Sequence, residues 1–152
     1  MGYAALTDLY FVMPVAMMGT VTTAQQQQAL DDRSAYADAK MRARYALPLG
    51  QPYDRALIRA VCDLAAWDII CLRGYDPESG SDQNFMRRAI GDDGRGGAQK
   101  LLDDVERQCA HFNVIEAIAP YPAYAAPMVV SAPQQGWIPS PIGSNPNPSG
   151  VL

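Results

Sequence analysis

Apolar positions recur at helical spacing along most of the chain before Glu116, and the breaks between periodic stretches fall at proline and glycine. From Tyr3 to Met13, the residues Leu6, Leu9, Tyr10 and Met13 share one helical face. Pro14 then forces an end or a restart, because it lacks the N–H that the next turn needs. Thr23 and Gln26 have the spacing of a capping box, and the residues that follow place Leu30, Ala37 and Met41 on one stripe with Asp31, Asp38, Lys40 and Arg42 off it. The pattern predicts an amphipathic helix ending near Arg44. The run Gln25 to Gln28 fits inside it, since glutamine is a good helix former. Tyr45 to Pro52 contains Pro48 and Pro52 and cannot be helical throughout, so it reads as an ordered linker with apolar contacts.

From Tyr53 to Arg73 the apolar residues cover nearly the whole circumference, sparing mainly Arg55, Arg59, Asp63 and Asp68. Such a helix is buried by neighbours on several sides, which makes Leu57, Val61, Leu64, Trp67 and Ile70 the expected structural core. Arg59 and Asp63 stand one turn apart, the spacing of a local ion pair worth a few tenths of a kcal/mol. Gly74 and Asp76-Pro77 terminate the helix, and Glu78 to Ser81 is a turn. A short helix is expected around Gln83 to Ile90, followed by a mobile loop from Gly91 to Gly97. A last helix from Ala98 to about Ala110 aligns Leu101, Leu102, Val105 and Cys109, and Phe112 to Ile118 has the β-branched content of a short strand. The expected fold is mainly α: a small helical bundle around a central buried helix, with a short β segment near 112–118.

Past Glu116 the chain changes character. Eight of its 12 prolines lie there with no Lys, Arg, Asp or Glu, yet Tyr121, Tyr124, Met128, Val129, Val130, Trp137 and Ile138 remain. Disordered tails are ordinarily charged and poor in aromatics. An uncharged, proline-spaced segment with aromatic side chains suits a long extended C-terminal arm that docks those residues into pockets of a partner. An unstructured solubilising tail is the competing reading. The expected organisation is therefore a helical domain over 1–116 and a docking arm over 117–152.

Composition narrows the function classes. At 49% hydrophobic and 18% charged the chain is globular in type, and a net charge of -4 argues against phosphate-backbone binding as the main source of affinity. The first basic residue is Arg33 and the apolar run Tyr10 to Met18 is interrupted by Pro14, so neither a secretory-signal pattern nor a membrane span is expected. Met1-Gly2 opens like a myristoylation site, but Leu6 stands where Ser or Thr is needed. Cys62, Cys71 and Cys109 show no zinc spacing. Cys62 and Cys71 lie about 180° apart on one helix, and all three read as buried, reduced, structural thiols.

The search for chemistry is short. Nucleophilic hydrolysis requires a nucleophile, a base and an orienting group, whereas the chain has one histidine, His111, and no Gly-x-Ser-x-Gly elbow. His111 reads as a packing or capping residue. The Gly91 to Gly97 loop lacks the Gly-Lys-Ser/Thr ending of a phosphate cradle, and Asp92-Asp93 lacks the further carboxylates of a calcium loop. Asp63 and Asp68 are about 140° apart on their helix and do not form an acid/base dyad. No catalytic residue, cofactor or metal is expected.

Three segments carry a resemblance: Tyr3-Ala4-Ala5-Leu6-Thr7-Asp8-Leu9, Arg44-Tyr45-Ala46-Leu47-Pro48-Leu49 and Cys62-Asp63-Leu64-Ala65. In this order the chain resembles, over roughly Tyr3 to Ala110, the small head-tail connector family of Mu-like tailed bacteriophages. That family has a Tyr-Ala-x-Leu-x-Asp-Leu opening, an amphipathic helix running into Arg-Tyr-x-Leu-Pro-Leu, and an apolar helix with a Cys-Asp-Leu/Ile-Ala core. The resemblance implies a helical adaptor in the virion neck, made in the host cytoplasm. Such adaptors form a ring, usually dodecameric, between the portal protein and the next neck or tail protein, with DNA at most passing through the channel. It brings no active site. The chain departs from the family in a longer, glycine-rich Asp76 to Gly97 region and in the proline-rich arm. Two other classes stay open: a small cytoplasmic helical binding module whose Pro-rich tail is a ligand, and an enzyme with a site around His111, Asp63 and Arg59.

Overall fold

A computed structural model describes residues 2–92 and 95–116. The expected docking residues Tyr121, Tyr124, Met128, Val129, Val130, Trp137 and Ile138, like the rest of the arm, lie outside the described residues. Within them the protein is mainly helical. The elements are α1 (Leu6–Val12), a 3-10 turn (Val15–Met17), α2 (Thr23–Met41), β1 (Leu49–Gly50), α3 (Arg55–Arg73), α4 (Gly80–Ala89), β2 (Gly91–Asp92), β3 (Arg95–Gly96), α5 (Ala98–Glu106) and β4 (Ile115–Glu116). Helix α3 packs against α1, α2, α4 and α5, and α2 also packs against α5.

The first helix is shorter than its periodicity suggests. It begins where the Ala5 N–H donates to Asp8 Oδ2 at 2.9 Å and ends before Pro14, with Leu9, Val12 and Met13 buried. The capping box of α2 sits one residue earlier than the spacing of Thr23 and Gln26 predicts. Thr22 Oγ1 accepts from the Gln25 N–H at 3.3 Å, and Gln25 Oε1 accepts from the Thr22 N–H at 2.9 Å. Gln26 is occupied elsewhere: it is buried, donates to the Val21 carbonyl at 3.0 Å and accepts from the Tyr10 hydroxyl at 3.1 Å. Leu30, Ala37 and Met41 are fully buried. The helix stops at Met41 rather than Arg44, because the Met41 carbonyl turns to accept from both the Arg44 and Tyr45 N–H groups.

Helix α3 is capped at its start by Asp54, whose Oδ1 accepts from the Ala56 N–H at 2.7 Å while Oδ2 accepts from the Asn113 N–H at 2.7 Å. One carboxylate thus starts the helix and ties it to the segment before β4. Gly74 ends the helix at φ +106°, a left-handed conformation that favours glycine. Leu57, Val61, Leu64 and Ile70 are buried, together with Ala60, Ala65, Ala66 and Ile69. Trp67, expected in the core, is only half-buried. Small alanines line the tightly packed faces, and the indole lies instead at the margin, edge-on to Tyr75 with ring centroids 5.2 Å apart. Asp63, expected on the polar side, is buried.

The glycine-rich segment read as a mobile loop contains a two-stranded antiparallel hairpin, Gly91 opposite Gly96 and Asp92 opposite Arg95. Gly97 follows, and a Cβ there would lie 2.5 Å from the Gly91 nitrogen and 2.7 Å from the Ile90 carbonyl carbon, so only glycine permits this approach. Helix α5 ends at Glu106 rather than near Ala110: Gln108 has φ 63°, and the Asp104 carbonyl accepts from both the Cys109 and Ala110 N–H groups. That reversal leaves Cys109 exposed and His111 exposed, against the expectation of buried thiols and a packed histidine. Cys71 is exposed as well, and Cys62 alone is buried. The short β segment foreseen near 112–118 includes β4, which pairs antiparallel with β1, Leu49 opposite Glu116 and Gly50 opposite Ile115.

Candidate functional site

Several charged side chains of the domain hold its helices together. Asp63 accepts from Arg59 Nε at 3.2 Å and, through its other oxygen, from Arg88, which joins α3 to α4. Sequence spacing identifies the Arg59 contact, but nothing local signals Arg88, which the fold brings in. Asp82 on α4 is buried and accepts from Arg73 Nη2 at 2.7 and 2.6 Å and from the Asp76 N–H at 3.2 Å. The Arg73 hydrogen bond holds the Asp82 carboxyl below its ordinary range in spite of burial, which acts in the opposite direction. Arg33 on α2 forks onto Asp68 on α3, and Lys40 on α2 reaches Asp103 at 2.9 Å and Glu106 at 2.7 Å on α5. The Glu106 and Asp103 contacts raise the Lys40 ammonium above its usual value.

The motifs that carry the resemblance are part of this framework. The Tyr3 N–H donates to Ser34 Oγ at 3.1 Å, its hydroxyl donates to Asp38, and its ring stands edge-on to Tyr53 at 5.0 Å. Burial first, and Asp38 second, push the Tyr3 phenol upward. Arg44 donates to the Ala110 carbonyl at 2.8 Å, and the Tyr45 hydroxyl accepts from the Phe112 N–H at 2.8 Å. Cys62, Asp63, Leu64 and Ala65 are all buried in the middle of α3, and burial pushes the Cys62 thiol up to about 12.

No acid/base constellation assembles from the residues named for one. Arg59 and Asp63 line an open cleft of about 530 Å³ with Arg88, Gly97, Lys100 and Asp104, but His111 is not part of that lining. Both oxygens of Asp63 are already engaged by arginines. Among the described residues no group of three His, Cys, Asp or Glu side chains is placed to hold a metal ion, and no helix is long and apolar enough to cross a membrane.

The surface is where unassigned apolar area remains. Phe11 on α1 is 88% exposed and stands out as a ridge, and Val15 in the 3-10 turn is 57% exposed. Beside Phe11 lie Arg55, Ile58 and Arg59 of α3. Between the start of α2 and the end of α3 runs an open groove of about 570 Å³, lined by Gln25, Gln28, Ala29, Asp32, Asp68, Cys71 and Leu72. Leu72 is 61% exposed at its wall. Sequence periodicity identifies the buried face of α1 and passes over Phe11, which is the residue off that face. The sign was available: a large aromatic opposite the apolar stripe of an amphipathic helix has no core to enter. Compared with known proteins, the chain matches no family model and no curated protein.

Proposed function

We propose that this chain is a structural, non-enzymatic head-tail adaptor of a tailed bacteriophage, a helical unit of a dodecameric ring between the portal and the next neck or tail protein. The observation that carries this reading is that the three resembling segments belong to one packing unit. Tyr3 to Leu9 leads into α1, Arg44 to Leu49 connects α2 to α3, and Cys62 to Ala65 is the middle of α3. Helices α1, α2 and α3 pack on one another, so the shared residues build one helical scaffold and leave its outer surfaces for partners. On this reading the charge-free arm, with Met128 to Val130 and Trp137-Ile138 as anchors, docks on the portal or on a neighbouring subunit.

The test is localisation and copy number in portal-bearing particles, by electron microscopy with the chain tagged. Many copies at the junction of head and tail are expected. A single copy per particle, or a position away from the neck, overturns the proposal, and a protein that stays monomeric and ignores the portal points to the binding-module class instead. Truncation after Ala119 is expected to leave the helical domain folded with a nearly unchanged melting temperature while strongly reducing incorporation. Normal incorporation of the truncated chain would remove the arm from the mechanism.

A further inference from the structure

Two apolar surface features of this chain differ in shape and in charge, and they sit on opposite sides of α3. The ridge presents Phe11 beside Arg55, Ile58 and Arg59, with Asp8 next to them engaged in capping α1 through the Ala5 N–H. The groove is lined by Leu72 and the small Ala29 together with the carboxylates Asp32 and Asp68. The ridge-side residues of α3 (Arg55, Ile58, Arg59, Cys62) and the groove-side residues (Asp68, Cys71, Leu72) point about 140° apart around the helix, and their centres are about 18 Å apart along it.

We propose that the ridge of one copy seats in the α2–α3 groove of the next, forming the repeated contact of a homo-oligomer. The proposal rests on the ring reading above and assigns its contact surfaces. Charge selects this arrangement over the self-matched ones. Ridge against ridge would bring Arg55 of one copy towards Arg55 of another, and groove against groove would oppose two pairs of carboxylates. Ridge into groove brings cation to anion. Arg59 already holds Asp63 and Asp68 already holds Arg33, whereas among the described residues Arg55 forms no ion pair and Asp32 accepts a hydrogen bond from the neutral Gln28 amide and meets Arg33 only through space. Arg55 and Asp32 are thus the pair that a contact between copies would complete. Because the two patches are different and lie on opposite sides, each added copy exposes a fresh groove or ridge. Association then runs head to tail until the accumulated rotation closes it.

The native thiols make this testable on the full-length chain. Cys71 lines the groove, so Ile58→Cys, beside Phe11, in a Cys109→Ser background places a partner thiol on the ridge. Mild oxidation is expected to give a ladder of dimers, trimers and larger disulfide-linked species, lost on Cys71→Ser. Leu72→Asp, an exposed position, is expected to lower the cross-linking yield about tenfold or more. Arg55→Glu and Asp32→Arg should each do the same, and the two together should restore the ladder. A product that stops at the dimer overturns the head-to-tail arrangement, and no Cys71-dependent product overturns the contact. The adaptor reading fails separately: a ladder in solution with no copies in particles leaves the contact standing. Conversely, many copies at the neck without this cross-link refute the surface assignment and spare the adaptor.

Discussion

Replacing Arg73 by methionine is expected to destabilise the domain by about 2 to 4 kcal/mol near neutral pH and by progressively less below pH ~4. Arg73 lies at the end of α3 and reaches two other elements: Nη2 holds both oxygens of Asp82 on α4, and Nη1 donates to the Met17 carbonyl. Asp82 is 1% exposed at its side chain, so loss of the guanidinium leaves a buried carboxylate held by the Asp76 N–H and its neighbour Ser81. Removing one member of a buried pair costs about 3 to 5 kcal/mol, and the figure is taken lower here because Arg73 keeps 24% of its side chain in solvent. Methionine retains the aliphatic stem that packs beside Gly19, which confines the change to the charged head. The pH dependence follows from the depressed Asp82 pKa. Stability from a carboxyl held lower in the folded state is present above its unfolded value, ~3.9, and is lost as pH falls through the folded value. Urea unfolding followed by circular dichroism, at about pH 7 and about pH 3, measures both parts. A cost under about 1 kcal/mol near neutrality, or an equal cost at both pH values, would refute this account of the α3–α4 junction.

Leu64→Ala is expected to cost about 2 to 5 kcal/mol as a cavity at a fully enclosed site, and Trp67→Ala clearly less than the 3 to 5 kcal/mol typical of a buried aromatic, because the indole is only half-buried. The order of the two values in urea denaturation is the check, and a larger loss at Trp67 would contradict the packing described. Gly97→Ala should destabilise by roughly 1 to 3 kcal/mol, since the added methyl meets backbone at 2.5 to 2.8 Å and not a side-chain end that can move; an unchanged melting temperature would mean that Gly97 is not held against the end of α4. In the native protein, a thiol reagent should titrate the exposed Cys109 and Cys71, the latter slowed because burial raises its thiol, and should reach Cys62 only on unfolding, because Cys62 is enclosed and its thiol is pushed up to about 12. Three fast equivalents would place α3 nearer the surface than the structure has it.

The helical class, the order of the helices and the burial of Leu57, Val61, Leu64 and Ile70 were legible in the sequence. Each depends on periodicity within one element, and a stripe of apolar residues has to be covered wherever its neighbours lie. The break at Pro14 and the stop at Gly74 were legible for the same local reason, a missing donor in one case and a left-handed backbone in the other. Tertiary structure decided the remainder. Trp67 has the apolar character of its neighbours, but whether a face of α3 meets another helix or only the returning chain at Tyr75 depends on where α4 packs. Asp63 became a buried hub because Arg88 arrives from a distant segment, and Cys109 became exposed because Gln108 turned the chain out of its helix. The groove between α2 and α3 is a property of two helices laid side by side, so neither sequence segment contains it. Phe11 and Leu72 are conspicuous only once their chain neighbours Leu9, Met13, Ile69 and Ile70 have found the core.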